Sequence, residues 1–277
     1  MVTGMGAIAN REVEHLGTAD ARNRPVRAGV DVLMHDRLDL IRGQRVGLAT
    51  NQSGVDCRGR STIDLLQAAP GVELVALFSP EHGIRGEAAA GEPVASSTDA
   101  RTGVPVYSLY GETTRPTREM LAGLHVLIFD VQDVGARVYT YAATLLEVLR
   151  AAAGRQLRVV VLDRPNPING IDVEGNVLDP RFASFVGPGP LAMRHGMTIG
   201  ELARFFNSEL KIGAALTVVP LDGWSRQKWY DQTGLPWVNP SPNIRSVAAA
   251  TATRAGRLRA AAIPSTGTAA PDTQYSR

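Results

Sequence analysis

HVLIFDVQDVGARVYTYAATLLEVLRAAAGRQLRVVVLDRPNPING, residues 125–170, reads as one complete strand, helix, strand unit. The apolar run from His125 ends abruptly in Asp130 and Asp133, as a buried strand does when it leaves a core. From near Gly135 the apolar residues recur at helical spacing until Gly154, a residue that stops helices. LRVVVLDRPNP then repeats the first pattern, apolar and β-branched until Asp163. Two buried strands joined by a long amphipathic helix form a βαβ crossover, which requires a parallel sheet covered by helices on both faces.

Outward from that unit the same rhythm continues. RVGLAT (Arg45 to Thr50) and VELVALF (Val72 to Phe78) read as strands on either side of STIDLLQA, a helix that Ser61 can cap. VPVYSLYG reads as a short strand and turn, RPTREMLAGL as a helix with Pro116 in its first turn, and IGELARFFNSEL as a helix capped by Thr198. LTVVP adds a strand before an aromatic, proline-rich loop. The fold class expected is α/β, a Rossmann-like, mostly parallel sheet with helices on both faces, plus the start of a smaller C-terminal domain. The boundaries read as a flexible segment over 1–28, the α/β domain over 29–210, the second domain's start over 211–246 and a tail over 247–277. That tail is rich in Ala and Arg and holds one acid, Asp272, which reads either as disorder or as out-of-frame text.

Composition narrows the function classes. Basic residues number 29 and acidic ones 27, spread along the chain, so no stripe tracks a phosphate backbone and nucleic acid is not an expected partner. No apolar run reaches the roughly 18 residues of a membrane span. The first 28 residues lack the apolar core of a secretory signal, which reads as cytoplasmic, or as periplasmic or secreted if translation starts upstream. Cys57, the single cysteine, has no partner for a disulfide or a zinc site and reads as a small, partly buried side chain. Walker, HExxH, GxSxG and strand-following GxGxxG motifs are lacking, which moves nucleotide hydrolases, zincins, serine hydrolases and dehydrogenases out of the front rank.

Ligands of parallel sheets sit beyond the carboxyl ends of the strands. Four polar loops should meet there: TNQSG (50–54), SPEHGIRGE (79–87), DVQDVGAR (130–137) and DRPNPING (163–170). Glu81 and His82 stand where a carboxyl enters a cleft and partial desolvation raises its pKa, the setting of a general acid or base. A surface turn with Glu81 paired to Arg85 explains the same residues equally well. Asp130 and Asp133 flank Gln132, suited to a cation, to sugar hydroxyls or to capping the next helix. Asn166 sits on a backbone stiffened by two prolines, as recognition loops and ordinary turns both are. Glu174 in DVEGNVLDP is a second candidate carboxylate, and glycoside hydrolysis uses two. Arg194 and His195 precede a helix, where an anion could be held. Trp224, Trp229 and Trp237 form either a sugar-stacking platform or a small core, with Trp237 the better ligand candidate.

In order, GQRVGLATNQSGVD, LFSPEHGIRGEAAAGE, LIFDVQDVGARVYTY, VLDRPNPING, VEGNVLD, RHGMTIGELARFFN and WVNPSPNIRS resemble the exo-β-N-acetylmuramidase family from about Gly29 to Ser246. The resemblance implies a bacterial hydrolase that releases N-acetylmuramic acid from the non-reducing end of β-1,4-linked peptidoglycan fragments in cell-wall recycling. It implies a muropeptide or N-acetylmuramyl-N-acetylglucosamine substrate, no cofactor and no metal, in a cleft between a Rossmann-like domain and a smaller one. It places the family's acidic residue on Glu81 as general acid, oriented by His82, with Glu174 as the second carboxylate. Arg194 and His195 would take the lactyl carboxylate. Asn51, Gln52, Arg85, Asp130, Gln132, Asp163, Arg164, Asn166, Trp237 and Asn243 would surround the sugar. Members continue past PSPN into a patterned domain that is replaced here by the Ala/Arg text, so part of the cleft wall is expected to be missing. The alternatives are a sugar-binding remnant without catalysis and a metal-dependent phosphoesterase using Asp130, Asp133 and His82.

Overall fold

The computed structural model describes residues 25–254, apart from 87 and 156. Of the flexible segment expected over 1–28, residues 1–24 lie outside the described residues, as do Glu87, Gln156 and the tail beyond residue 254, whereas Val26 and Ala28 are buried and Arg27 N–H bonds Asp222 O. Nine strands and five α-helices build the rest: α1 (Gly29–Asp36), β1 (Arg45–Thr50), α2 (Thr62–Gln67), β2 (Glu73–Ser79), β3 (Ser97–Thr98), β4 (Pro105–Ser108), β5 (Val126–Asp130), α3 (Thr140–Ala153), β6 (Arg158–Leu162), β7 (Glu174–Val177), β8 (Ala192–Arg194), α4 (Ile199–Glu209), β9 (Leu216–Val219) and α5 (Val247–Arg254).

Seven strands form one sheet in the order β3-β4-β2-β1-β5-β6-β9, parallel throughout except for β3 at the edge. Alternate strand residues face opposite layers. Ala49, Phe78, Phe129, Val159 and Val161 pack with Tyr141, Leu145 and Leu149 of α3 and Leu202 and Phe206 of α4. Leu48, Leu77, Ile128, Val160 and Leu162 pack with Val32 and Leu33 of α1 and Ile63 and Leu66 of α2. Both faces are dry, which is why β5 and β6 read as unbroken apolar runs rather than as alternating ones.

The chain runs outward from β1 to β2 and β4, then returns to lay β5 on the other side of β1. The strand order therefore reverses between β1 and β5, where the crossovers part and leave a crevice at the carboxyl edge. There Thr50 and Asp130 stand side by side in register, and the Thr50 hydroxyl donates to the Asp130 carbonyl at 2.7 Å.

Several expectations are corrected. RPTREMLAGL forms no helix: Leu121 N–H reaches Thr117 O, but Ala122 and Leu124 bond three residues back, and Gly123 turns the chain at φ 74°. Helix α3 starts at Thr140 rather than near Gly135, because the loop bends first around Gly135 (φ 82°), where a Cβ would lie 2.4 Å from Asn166 Oδ1. The boundary at residue 210 is no break in the sheet, since β9 pairs with β6. The tail does not begin unstructured: α5 covers its first eight residues and buries Ala250 against Val134, Ala136, Ile168 and Ile244. Cys57 is exposed, not partly buried.

Candidate functional site

Strand β2 ends at Ser79, and Pro80 turns the chain out so that Glu81 is half-buried at the carboxyl edge. Both carboxylate oxygens are held. Oε2 accepts from the Thr140 hydroxyl at 2.7 Å, at the first residue of α3, and Oε1 accepts from Gly91 N–H at 3.0 Å. Gly91 and Thr140 also line a pocket of ≈ 680 Å³ with Tyr110, Phe185 and Val186, so Glu81 is anchored at that pocket's wall. Tyr110 and Phe185, both on its lining, form a tilted aromatic pair with ring centroids 6.2 Å apart. Buried His82 takes a left-handed backbone (φ 75°), a conformation a non-glycine residue keeps only where its surroundings enforce it. Its Nδ1–H donates to Ala88 O at 3.2 Å, closing the loop behind Glu81.

Arg85 does not pair with Glu81. Its guanidinium grips Asp99 through Nε and Nη2 at 3.0 to 3.1 Å, so neither the simple surface turn nor sugar binding by Arg85 holds.

At the switch point the loops after β1 and β5 interlock. Asn51 Oδ1 accepts from the Ser53 amide and hydroxyl, and Ser53 Oγ accepts from the Gln132 amide at 3.0 Å. Gln132 Nε2 donates to the carbonyls of Asp133 and Pro165. Asp133 Oδ2 accepts from Gly135 N–H at 2.6 Å and from His195 Nε2 at 3.2 Å. His195 Nδ1 accepts from Met197 N–H, so the proton resides on Nε2 and the buried imidazole serves Asp133 as a neutral donor. Gln52 Nε2 and Tyr141 Oη hold the carbonyls of the Asn239 and Pro240 segment against this edge. Asn243, expected at the sugar, is exposed on the same segment.

Other expected ligand residues are committed to the scaffold. Asp130 is fully buried, with both oxygens on the Arg164 guanidinium at 2.6 and 2.9 Å and Thr62 on Oδ2. Burial works against the Arg164 charge, and Asp130 outweighs it and raises the pKa. With both oxygens taken, Asp130 is neither a sugar ligand nor a metal ligand, and no group of three His, Cys, Asp or Glu side chains with metal-site geometry gathers among the described residues. Asp163 accepts from Arg164 N–H, Gly200 N–H and the Thr198 hydroxyl, tying β6 to the start of α4, and burial pushes its carboxyl up to about 6. Asn166 bonds Ile168 N–H and Met197 O.

Arg194 is fully buried on β8 and pairs with Glu174 at 3.0 Å and Asp172 at 3.1 Å, bonds Ile168 O, and lies over the Trp229 ring. Its charge is already matched, so it is not a free cation for a lactyl carboxylate. Glu174 is largely exposed and serves this pair on β7, which read as a small loop in the sequence. Trp237 packs edge-on against Tyr230 at 4.9 Å beside the small core of Val134, Ile168 and Ile244, the structural alternative rather than a stacking platform.

Sequence reasoning missed Thr140 and Gly91 as partners of the acid, Tyr110 and Phe185 as lining of the pocket beside them, and Tyr141 as a bond to the Pro240 carbonyl at the crevice. The signal was YTY, two tyrosines flanking a threonine directly after the DVQDVG loop.

The family model described as "Exo-beta-N-acetylmuramidase NamZ, N-terminal" matches residues 46–248. The peptidoglycan beta-N-acetylmuramidase NamZ of Bacillus subtilis (strain 168) is 49% identical over 227 residues, covering 82% of this chain and 55% of that protein. Among solved structures, a DUF1343 family protein of Bacteroides fragilis NCTC 9343 superposes with TM-score 0.77 at 44% identity, over 82% of this chain and 58% of the other. A second from the same organism gives 0.72 at 32% identity, over 83% and 60%. The chain thus spans little more than half the length of these relatives. The agreement runs from β1 to the start of α5 and includes the switch-point crevice, and on it the chain belongs to the exo-beta-N-acetylmuramidase NamZ family, matching the N-terminal part of its members.

Proposed function

We propose that this protein is a glycoside hydrolase that removes N-acetylmuramic acid from the non-reducing end of β-1,4-linked peptidoglycan fragments, with Glu81 as the general acid. The observation that carries the reading is the placement of Glu81. Its carboxyl is fixed by Gly91 and Thr140, two residues that line a ≈ 680 Å³ pocket holding a tilted aromatic pair, in a chain of the muramidase family. Sugar rings present apolar C–H faces that pack on such rings, while hydroxyls reach for the polar rim.

In the reaction the bond from the anomeric carbon to the bridging oxygen breaks. The Glu81 proton goes to that oxygen, which leaves as the new hydroxyl of the shortened fragment; the oxygen of water bonds to the anomeric carbon as its hydroxyl, and the proton water gives up restores the Glu81 carboxyl. The fixed loop of His82 and the two hydrogen bonds on Glu81 keep the acid in one position, so little reorganisation is needed as the proton moves.

The test is end-group analysis with fragments labelled at the reducing end. Free N-acetylmuramic acid should appear from the first turnover while the label stays on the shortened chain. Internal cleavage would overturn the exo-acting reading. Absence of any sugar release would overturn the enzyme reading, and chelator-sensitive release of phosphate from a phosphate ester would favour a phosphoesterase.

A further inference from the structure

The ≈ 680 Å³ pocket beside Glu81 continues past the connection between β7 and β8. Thr114, Ala183, Ser184 and Phe185 line that pocket and also a second one of ≈ 320 Å³, so the two meet at these residues and form one groove. The turn at the junction is a tight hairpin, in which Ser184 and Gly187 exchange both backbone hydrogen bonds at 3.0 Å and fix Phe185 and Val186 at the tip. Gly91 and Thr140, the two partners of Glu81, lie at the near end. The far end lies along α3, on Ala143, Leu146, Glu147 and Arg150, together with Arg115. From Thr140 the axis of α3 rises about 10 Å to Glu147 and about 15 Å to Arg150, at about 1.5 Å per residue. A single sugar ring with its bridging oxygen at Glu81 does not extend that far.

Three ionisable side chains line the far end, Arg115, Glu147 and Arg150, and their balance is one positive charge. Glu147 is shared: Oε2 accepts from Arg115 Nε–H, and Oε1 accepts from Arg150 Nη1–H at 2.7 Å. The carboxylate is mostly covered, at 13% exposed, while the Arg115 and Arg150 side chains stay open at 53% and 41%. One nitrogen of each guanidinium is spent on Glu147, and among the described residues both Nη groups of Arg115 and Nη2 of Arg150 have no acceptor. Exposed ion pairs add only about 0 to 1 kcal/mol to stability, so the fold gains little from this arrangement. Glu147 acts instead as a strut that brings two planar N–H forks to one place, and such forks match a carboxylate.

In a β-1,4-linked peptidoglycan fragment the sugar after the terminal N-acetylmuramic acid is neutral. The next is again a muramic acid, whose lactyl carboxylate is either free or extended by a stem peptide with carboxylates of its own. The first acidic group of the leaving fragment thus lies beyond the first ring past the bond that breaks. We propose that Arg115 and Arg150, set by Glu147, form a subsite for a carboxylate of the leaving fragment, reached from the Glu81 pocket past the 183–185 turn. Glu147 is a positioning residue, and the two arginines touch the ligand. Only the identity of the ligand rests on the glycosidase reading.

The experiment is isothermal titration of the full chain with three probes. They are the disaccharide N-acetylglucosaminyl-β-1,4-N-acetylmuramic acid, its lactyl amide, and the disaccharide with an alanyl-glutamate stem on the lactyl group. At low salt at least one of the two acids should bind about fivefold or more tighter than the amide, the scale of a charge-assisted hydrogen bond at a half-exposed site, and the difference should shrink as salt rises. A tighter free acid assigns the site to the lactyl carboxylate, and a tighter stem-bearing form assigns it to the peptide. Arg115→Gln and Arg150→Gln should each cut the preference to about twofold or less, and Arg150→Lys, which keeps the charge, should retain the larger part of it. Equal affinity for all three probes, a preference that survives both glutamine substitutions, or no binding of any probe overturns the subsite. If thermal melting shows that one glutamine variant does not fold, the other decides alone. Release of N-acetylmuramic acid from longer fragments with no preference among the probes would discard the subsite and keep the glycosidase reading, and preference without release would do the reverse.

Discussion

Asp163 should make this protein less stable as the pH rises from mildly acidic to neutral, and Asp163→Asn should remove that dependence. The carboxyl is buried at the junction of β6 and α4, and burial lifts its folded pKa from 3.8 to about 6 against the hydrogen bonds from Gly200, Thr198 and Arg164. An acid whose folded pKa is raised holds its proton better folded than unfolded. Its contribution is therefore fully present below the unfolded pKa and is lost as pH climbs through the folded one. The separation corresponds to about 3 kcal/mol in total, of which about 2 disappears between pH 4.5 and 7.5. Asparagine imitates the protonated acid: its oxygen can accept from Gly200 and Arg164 while its amide donates to Thr198 Oγ. Urea unfolding of both proteins across that range cancels the other titrations in the difference. The variant should gain on the parent by about 2 kcal/mol from the acidic to the neutral end. A variant that instead loses ground as pH rises would show that the hydrogen bonds on the carboxylate outweigh its burial.

Three further outcomes follow from the committed side chains. Asp130→Ala leaves the Arg164 guanidinium buried and unpaired, so chemical unfolding should show a loss of about 3 to 5 kcal/mol, the cost of breaking a buried pair. Arg85→Gln should lower stability through Asp99 while KM for a muramide stays within about twofold, because Arg85 serves the scaffold; a tenfold rise in KM would place it back at the sugar. Phe206→Ala, which empties a fully buried position between α4 and the sheet, should cost about 3 to 5 kcal/mol.

What the residues made legible was local. Apolar runs that end in polar loops located β1, β2, β5 and β6, because strands buried on both faces need no alternation. Ser61 and Thr198 marked helix starts, and both side chains do accept the expected backbone N–H. The carboxyl-edge loops were legible as a group because parallel topology fixes where they go. What each polar group does there was not legible, since it depends on partners far along the chain. Asp130 meets Arg164 34 positions away, and His195 meets Asp133 62 away. A polar residue at a strand end looks the same whether it faces a ligand or another loop. Glu174 had the right residue type and the wrong neighbour, because Arg194 sits across the β7 and β8 pair. The RPTREMLAGL segment misled through propensity: its residues favour a helix, but it spans little more than two turns and Gly123 ends it.

The most direct measurement is the activity of Glu81→Gln on two muramides, one with an alkoxide leaving group and one with a dinitrophenolate that leaves without a proton. The expected result is a loss of about 10² to 10⁴-fold on the first and a much smaller loss on the second, the pattern of a missing general acid. Equal losses on both, or full activity on the first, would contradict the assignment of Glu81.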